Sequence, residues 1–307
     1  DILHTHNPKP GILGRIAGWL TRVPVVVNTQ HGLYAQPDDR WQRRWPVYAA
    51  ERIAAAFGDL ELVQNPEDVH TLVDTLKVPR SKVRLLGNGV DLERFDPSTI
   101  DTATRSRLRA EWGVTDHEFV ACVVGRLVAE KGIVELLDAA HRLATGSTPV
   151  RMVIIGPAEP DKSDAVDEAM LRRADNDGVL LLGTRTDMAE CYAASDIFVT
   201  ASWREGVPRA AKEAAAMGLP IVATDIRGNR QVVEDGVNGT VVPVRDPESL
   251  AQAITVLATD PALRRTHTEG ARRRAPIDFD QQVVIERTLA AYRDLGHPGA
   301  APTLTST

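Results

Sequence analysis

Short runs rich in Val, Ile and Leu alternate with longer segments of helical period along almost the whole chain. The runs at 23–28, 60–64, 83–86, 119–124, 151–155, 179–182, 197–200, 221–224 and 240–242 predict β-strands. They are continuous rather than alternating, the pattern of parallel strands covered on both faces. With helical segments between them they make β-α units, so the predicted fold class is α/β, built from Rossmann-like doubly wound domains.

Residues 87–100 are turn-rich and polar between two such blocks, and the domain boundary is placed there. Residues 1–98 are expected to form a partial N-terminal Rossmann-like domain, with about three strands against the six of a full doubly wound sheet. Residues 99–116 are expected to be a linker and 117–275 a second Rossmann-like domain with about six strands. Residues 276–295 are expected to hold a helix that packs back toward the first domain, followed by a mobile Pro/Ala/Thr-rich tail at 296–307. The chain opens on Asp1-Ile2-Leu3-His4-Thr5-His6, inside what reads as a buried strand, so the rest of the first sheet is expected upstream.

The chain has 307 residues, 43% of them apolar, enough for two domains that each bury a core. A net charge of −6 argues against a broad nucleic-acid surface. Cys122 lies in an apolar run and Cys191 in an Ala-rich one; two such residues make no disulfide framework and fit a reducing compartment. The most apolar long stretch, 11–27, is interrupted by Arg15, Arg22 and Pro24, so no membrane span is predicted. The expected location is cytoplasmic.

Candidate chemistry concentrates at 202–224, where Glu205 and Glu213 flank Gly206-Val207-Pro208. Proline is tolerated in a first helical turn, so a helix is predicted over 207–217, closed by Gly218-Leu219-Pro220. Glu205 then stands beside unpaired backbone N–H groups, with Glu213 about two turns on. Eight residues of helix rise about 12 Å, more than the roughly 5–9.5 Å that separates paired glycosidase carboxylates. Two contacts to one extended ligand fit the spacing better than an acid and a nucleophile, although an ordinary surface helix has the same pattern. Gly125-Arg126 follows a strand run, and Lys131-Gly132 precedes the helix predicted from 133. Two cations near a helix N-terminus favour a diphosphate; a solvated charged loop is the alternative. His4 and His6 share one side of a strand without further ligands at metal spacing, so no metal site is predicted.

Gly87-Asn88-Gly89-Val90-Asp91, Gly125-Arg126 with Glu130-Lys131-Gly132, Glu205-Gly206-Val207-Pro208 with Glu213, 223–228 and 235–239 follow one another in an order and spacing that resemble family 4 retaining glycosyltransferases of GT-B fold. The resemblance covers nearly the whole chain. His4-Thr5-His6-Asn7-Pro8-Lys9, Thr29-Gln30-His31-Gly32-Leu33 and 64–68 make it most similar to bacterial capsule and exopolysaccharide enzymes. It implies that Arg126 and Lys131 hold a nucleotide diphosphate. It also implies that Glu213 accepts hydrogen bonds from the ribose, and that Glu205 with the backbone of 206–208 positions the donor sugar. His31 is implied to face the sugar near its anomeric carbon, Gly183 and Arg185 to pack on the base, and Gly125 to admit the phosphates. The implied reaction moves a sugar from an NDP-sugar, most simply a UDP-sugar, to a glycan or polyprenyl-diphosphate-linked acceptor, with retention and no metal or other cofactor. A front-face mechanism, in which the departing phosphate helps deprotonate the acceptor, fits the lack of an evident carboxylate nucleophile.

Arg40-Trp41-Gln42-Arg43-Arg44-Trp45-Pro46-Val47-Tyr48 combines arginines with two of the chain's five tryptophans. Basic aromatic segments favour anionic bilayer surfaces, so peripheral contact with the inner face of the plasma membrane is expected; helix packing is the alternative. Two rival functions share the motifs. One is a nucleotide-sugar-binding fragment without turnover, because the family's first strand and glycine-rich loop have no counterpart here. The other is a GT-B UDP-sugar epimerase.

Overall fold

The computed structural model describes residues 1–35, 39–146 and 148–296; the Pro/Ala/Thr-rich tail from 297 lies outside them. The chain divides into two compact units, one of residues 1–89 with the helix Gln281–Gly296, the other Val90–Asp280. Among the described residues each contains one parallel sheet.

The first unit carries β1 (Ile2–His6), β2 (Val25–Gln30), β3 (Leu60–Val63) and β4 (Val83–Leu85), paired in that order. β2 is buried along its whole length, including Asn28, Thr29 and Gln30. Helix Pro8–Leu20 lies on this sheet with its backbone close against strand side chains. Gly11 and Gly18 make this approach possible: a Cβ at either would stand 2.7 Å from Asn28 Oδ1 or Leu3 Cδ2. On the same side Arg15, fully buried, reaches Glu51 at 2.7 Å and Glu61 at 2.5 Å. Asn28 donates to Glu61 at 2.7 Å and Gln30 to Glu51 at 2.9 Å, so the polar end of β2 belongs to a buried ionic network. Burial pushes the Glu61 carboxyl up, against the pull of Arg15.

The second unit carries β5 (Phe119–Val124), β6 (Val150–Ile155), β7 (Leu180–Leu181), β8 (Ile197–Thr200), β9 (Ile221–Thr224) and β10 (Gly239–Val242). Their order is β10-β9-β8-β5-β6-β7, all parallel. Counted within the unit this is the doubly wound order 3-2-1-4-5-6, whose winding reverses between β5 and β8. One apolar cluster covers each face, with Leu136 and Ile254 on one and Tyr192 and Phe198 on the other. Residues 99–116, expected as a linker, include the helix Thr102–Glu111. Leu108 and Trp112 lie in the core of this unit, because their apolar face has the sheet-covering helices to bury against.

Helix Arg209–Ala216 holds Lys212 wholly buried, with its ammonium unpartnered by any hydrogen bond to a described group. Burial first, then Arg209, lowers its pKa from 10.5 to about 7. The unfolded chain keeps this proton up to about pH 10.5, so between the two values it binds more protons than the folded one, and stability rises with pH. Lys212→Met is expected to stabilise the protein at pH 7 by about 2–4 kcal/mol and to flatten that rise. Denaturant titrations at pH 7 and pH 9 check this; a destabilised methionine variant would refute it.

Candidate donor site

In a doubly wound sheet the loops leaving the C-terminal ends of the strands on either side of the reversal diverge and leave a crevice. Here those loops follow β5 and β8, and carry Gly125-Arg126 and residues 201–208. After β5 the chain makes a short turn, Ala129–Lys131, then enters helix Ile133–Ala144 through Gly132. Gly132 has φ +69°, and a Cβ there would collide with the carbonyl oxygen of Ala201, so this position requires glycine to bring the two loops together. Trp203 of the second loop completes the junction, its backbone N–H donating to the Glu130 carbonyl at 2.9 Å.

The Lys131 ammonium is thereby hydrogen-bonded to Glu205, whose same oxygen also accepts from Ser202 Oγ at 3.0 Å. Both charged side chains keep about a fifth of their surface, 22% and 19%. Helix Arg209–Ala216 starts later than expected, because Pro208 takes an extended N-cap conformation (φ −69°, ψ 116°) instead of the first turn. No side chain caps that end. Glu213, one turn in, is nearly buried and fixed at both oxygens: Tyr192 donates to one at 3.0 Å and Arg209 to the other at 2.9 Å. Burial, then Glu213 itself, raises the Tyr192 phenol, so it stays a donor.

Arg126 leaves the same crevice and pairs with Glu159 at 2.9 Å. Gly183, at φ +63°, accepts from Gly156 N–H at 2.8 Å, and Gly125 N–H donates to Ile155 at 2.9 Å, so the loops after β5, β6 and β7 lie side by side. Arg185 does not join Lys131 and Glu205; its guanidinium is held by Asp187 at 2.5 Å and Glu111 at 2.8 Å. The structure thus brings Gly125, Lys131, Glu205, Gly206, Val207 and Pro208 to one edge, with Glu213 on the adjoining helix.

His31 belongs to the other unit, just past the end of β2. Its Nε2 lies 2.9 Å from His6 Nδ1, and the His6 ring stacks on His4 with centroids 4.3 Å apart. His4 is tied at both nitrogens, to Tyr292 at 2.5 Å and Thr29 at 2.7 Å. Burial, then His6 and His31, lowers His4 to about 4, and burial, then His6, lowers His31. Two imidazoles that share one hydrogen bond cannot both carry a proton on the facing nitrogens. Ser202, Tyr192, Arg209 and His6 were not singled out from the sequence as partners of these groups. Only Arg209, four residues from Glu213, had a local signal, the helical i, i+4 spacing.

Two family models match the chain: "Glycosyltransferase Family 4" over residues 1–94 and "Glycosyl transferases group 1" over residues 118–260. A relative from Escherichia coli, UDP-Gal:alpha-D-GlcNAc-diphosphoundecaprenol alpha-1,3-galactosyltransferase, is 30% identical over 96% of this chain and 76% of its own length. The capsular polysaccharide biosynthesis glycosyltransferase CapM of Staphylococcus aureus is 27% identical over 95% of this chain and 76% of its own. Among solved structures, Anabaena Alr3699/HepE in complex with UDP superposes with a TM-score of 0.83 at 25% identity, covering 95% of this chain and 78% of that one.

Proposed function

We propose, because this chain belongs to glycosyltransferase family 4 and has the GT-B fold, that it transfers a glycosyl group from a UDP-sugar held at the β5/β8 crevice to a glycan on a polyprenyl diphosphate, with retention at the anomeric carbon. The observation that carries the reading is the Lys131–Glu205 pair at the mouth of that crevice, with Glu205 four residues ahead of Arg209 at an uncapped helix N-terminus and Glu213 of the same helix held at both oxygens. A diphosphate fits a lysine and free helix N–H groups, and a ribose diol fits a carboxylate whose geometry is already fixed. Arg126 supplies a second cation once Glu159 is displaced. UDP is supported by the HepE complex and by the E. coli relative's name, and the lipid-linked acceptor by that name alone. Burial, then His6, favours the neutral imidazole of His31, so this side chain is a hydrogen-bonding group rather than a cation.

Calorimetry with UDP against other nucleoside diphosphates, followed by NMR of the product's anomeric configuration, tests the reading. UDP is expected to bind, and binding to fall at least about tenfold in Glu213→Ala through loss of the ribose contacts. An inverted product would refute retention, binding without turnover would favour a nucleotide-sugar-binding role without catalysis, and no nucleotide binding would remove both.

No helix among the described residues is long and apolar enough to cross a membrane. Helix Trp41–Ala56 nevertheless leaves Trp41 and Trp45 each 64% exposed, and the helix packed beside it leaves Leu13, Trp19 and Leu20 exposed. The proposed role of the exposed Trp41 and Trp45 with their neighbouring arginines is contact with an anionic bilayer, the arginines meeting headgroups and the indoles the interface. A Trp41→Ala/Trp45→Ala protein that keeps Arg43 and Arg44 is expected to lose most flotation with anionic liposomes; undiminished flotation would sink this role.

A further inference from the structure

A cleft of about 580 Å³ opens in the second unit at the N-terminal ends of β8 and β9, where Asp196 and Pro220 enter the strands. This is the sheet edge opposite to Gly125 and Glu205. Its apolar floor includes Ile100, Met217 and Leu219, and its rim is basic: Arg105 from one helix and Arg264, Arg265 and Arg272 from helix Pro261–Asp278. Residues 265, 268 and 272 recur at helical spacing, so Arg265, Thr268 and Arg272 present one stripe to the cleft.

The charges are not equivalent. Arg105 is spent on Asp196 at 3.0 Å, and Arg264 donates to the Leu257 and Ala258 carbonyls. Asp196 also accepts from Val120 N–H at 2.8 Å, and Asp101 caps its helix by accepting from Thr104 N–H at 2.7 Å. Arg265 and Arg272 have no hydrogen-bond or ion-pair partner among the described residues, against one unengaged carboxylate in the lining, Glu269. The Arg272 side chain passes directly over Gly218: its Nε lies 2.9 Å from where a Cβ of residue 218 would stand, an approach open because Gly218, at φ +77°, has none.

We propose that this cleft is a second binding site, taking a small phosphorylated molecule whose phosphate is gripped by Arg265 and Arg272 and whose body rests on the apolar floor. Guanidinium forks match phosphate oxygens in pairs, and the volume falls within the range of small-molecule sites. Tyr192 lines the cleft and its hydroxyl donates to Glu213 at 3.0 Å. The site itself does not depend on the donor reading.

Pyrophosphate is the probe, titrated calorimetrically into the full chain carrying Arg126→Ala/Lys131→Ala, which removes the cations of the other edge. Saturable binding is expected there, and at least about tenfold weaker binding when Arg265→Glu/Arg272→Glu is added. With residues 126 and 131 intact, Arg265→Glu/Arg272→Glu is expected to keep its UDP affinity and unfolding midpoint. Should charge reversal lower that midpoint, Arg265→Ala/Arg272→Ala carries the same expectation. No saturable pyrophosphate binding in the first protein, or binding unchanged by the added pair, overturns the site; loss of UDP binding in the unmodified chain would instead strike the donor reading.

Discussion

Arg15→Met is expected to cost about 3–5 kcal/mol of folding stability, most of what a domain has to lose. The side chain is fully buried and is the cation between Glu51 and Glu61, at 2.7 and 2.5 Å. Methionine fills much of the volume but leaves two carboxylates in the interior with, among the described residues, the Asn28 and Gln30 amides to solvate them. The sign of the pH dependence follows. Glu61 already sits above its ordinary 4.5 through burial, with Arg15 opposing, and removing Arg15 lifts it further. A carboxyl raised in the folded state binds more protons folded than unfolded, so the variant gains stability as pH falls through that raised value. Its deficit against wild type is therefore expected to be smaller at pH 5 than at pH 8, in denaturant titrations. Arg15→Met/Glu51→Gln/Glu61→Gln, which removes the stranded charges, is expected to recover a substantial part of the loss. A deficit below about 1 kcal/mol would mean the network is solvated or dispensable.

That network also explains where sequence reading stopped. Strands 119–124, 197–200 and 221–224 were legible to the residue, because a parallel strand covered on both faces is an uninterrupted apolar run. Strand β2 was expected at 23–28 and runs Val25–Gln30 instead. Asn28, Thr29 and Gln30 read as a strand end, yet they continue the ladder because Glu61 and Glu51, over twenty residues away, hydrogen-bond their amides. The doubly wound class followed from the alternation of elements, and the 3-2-1-4-5-6 order gave the crevice its place. At the site, the motif-bearing residues were legible because glycines and charges cluster locally. Arg209 apart, their partners were not. Lys131 meets Glu205 across 74 residues, and His4 meets Tyr292 across 288, pairings that no local pattern encodes.

The Lys131–Glu205 pair sets up opposite expectations for its two members. Glu205 neutralises the cation that the proposed donor diphosphate needs, so ligand and carboxylate compete for one ammonium. Removing the cation, as Lys131→Met, takes away charge stabilisation of the departing diphosphate; turnover is expected to fall about 10²–10³-fold and UDP affinity to fall with it. Glu205→Gln removes the competitor instead. It is expected to bind UDP more tightly by a few-fold while transferring sugar more slowly, because a carboxylate that leaves Lys131 for the phosphate becomes available to the donor sugar hydroxyls, and an amide replaces that acceptor with a weaker one. Ser202, which donates to the same oxygen, helps hold whichever group stands there, so the loop geometry is retained in both variants. UDP calorimetry beside initial-rate measurements separates the cases: affinity and turnover must move together in Lys131→Met and apart in Glu205→Gln. If Glu205→Gln lowers both, Glu205 contributes to nucleotide binding directly, and its role as a counterion that yields to the diphosphate is wrong.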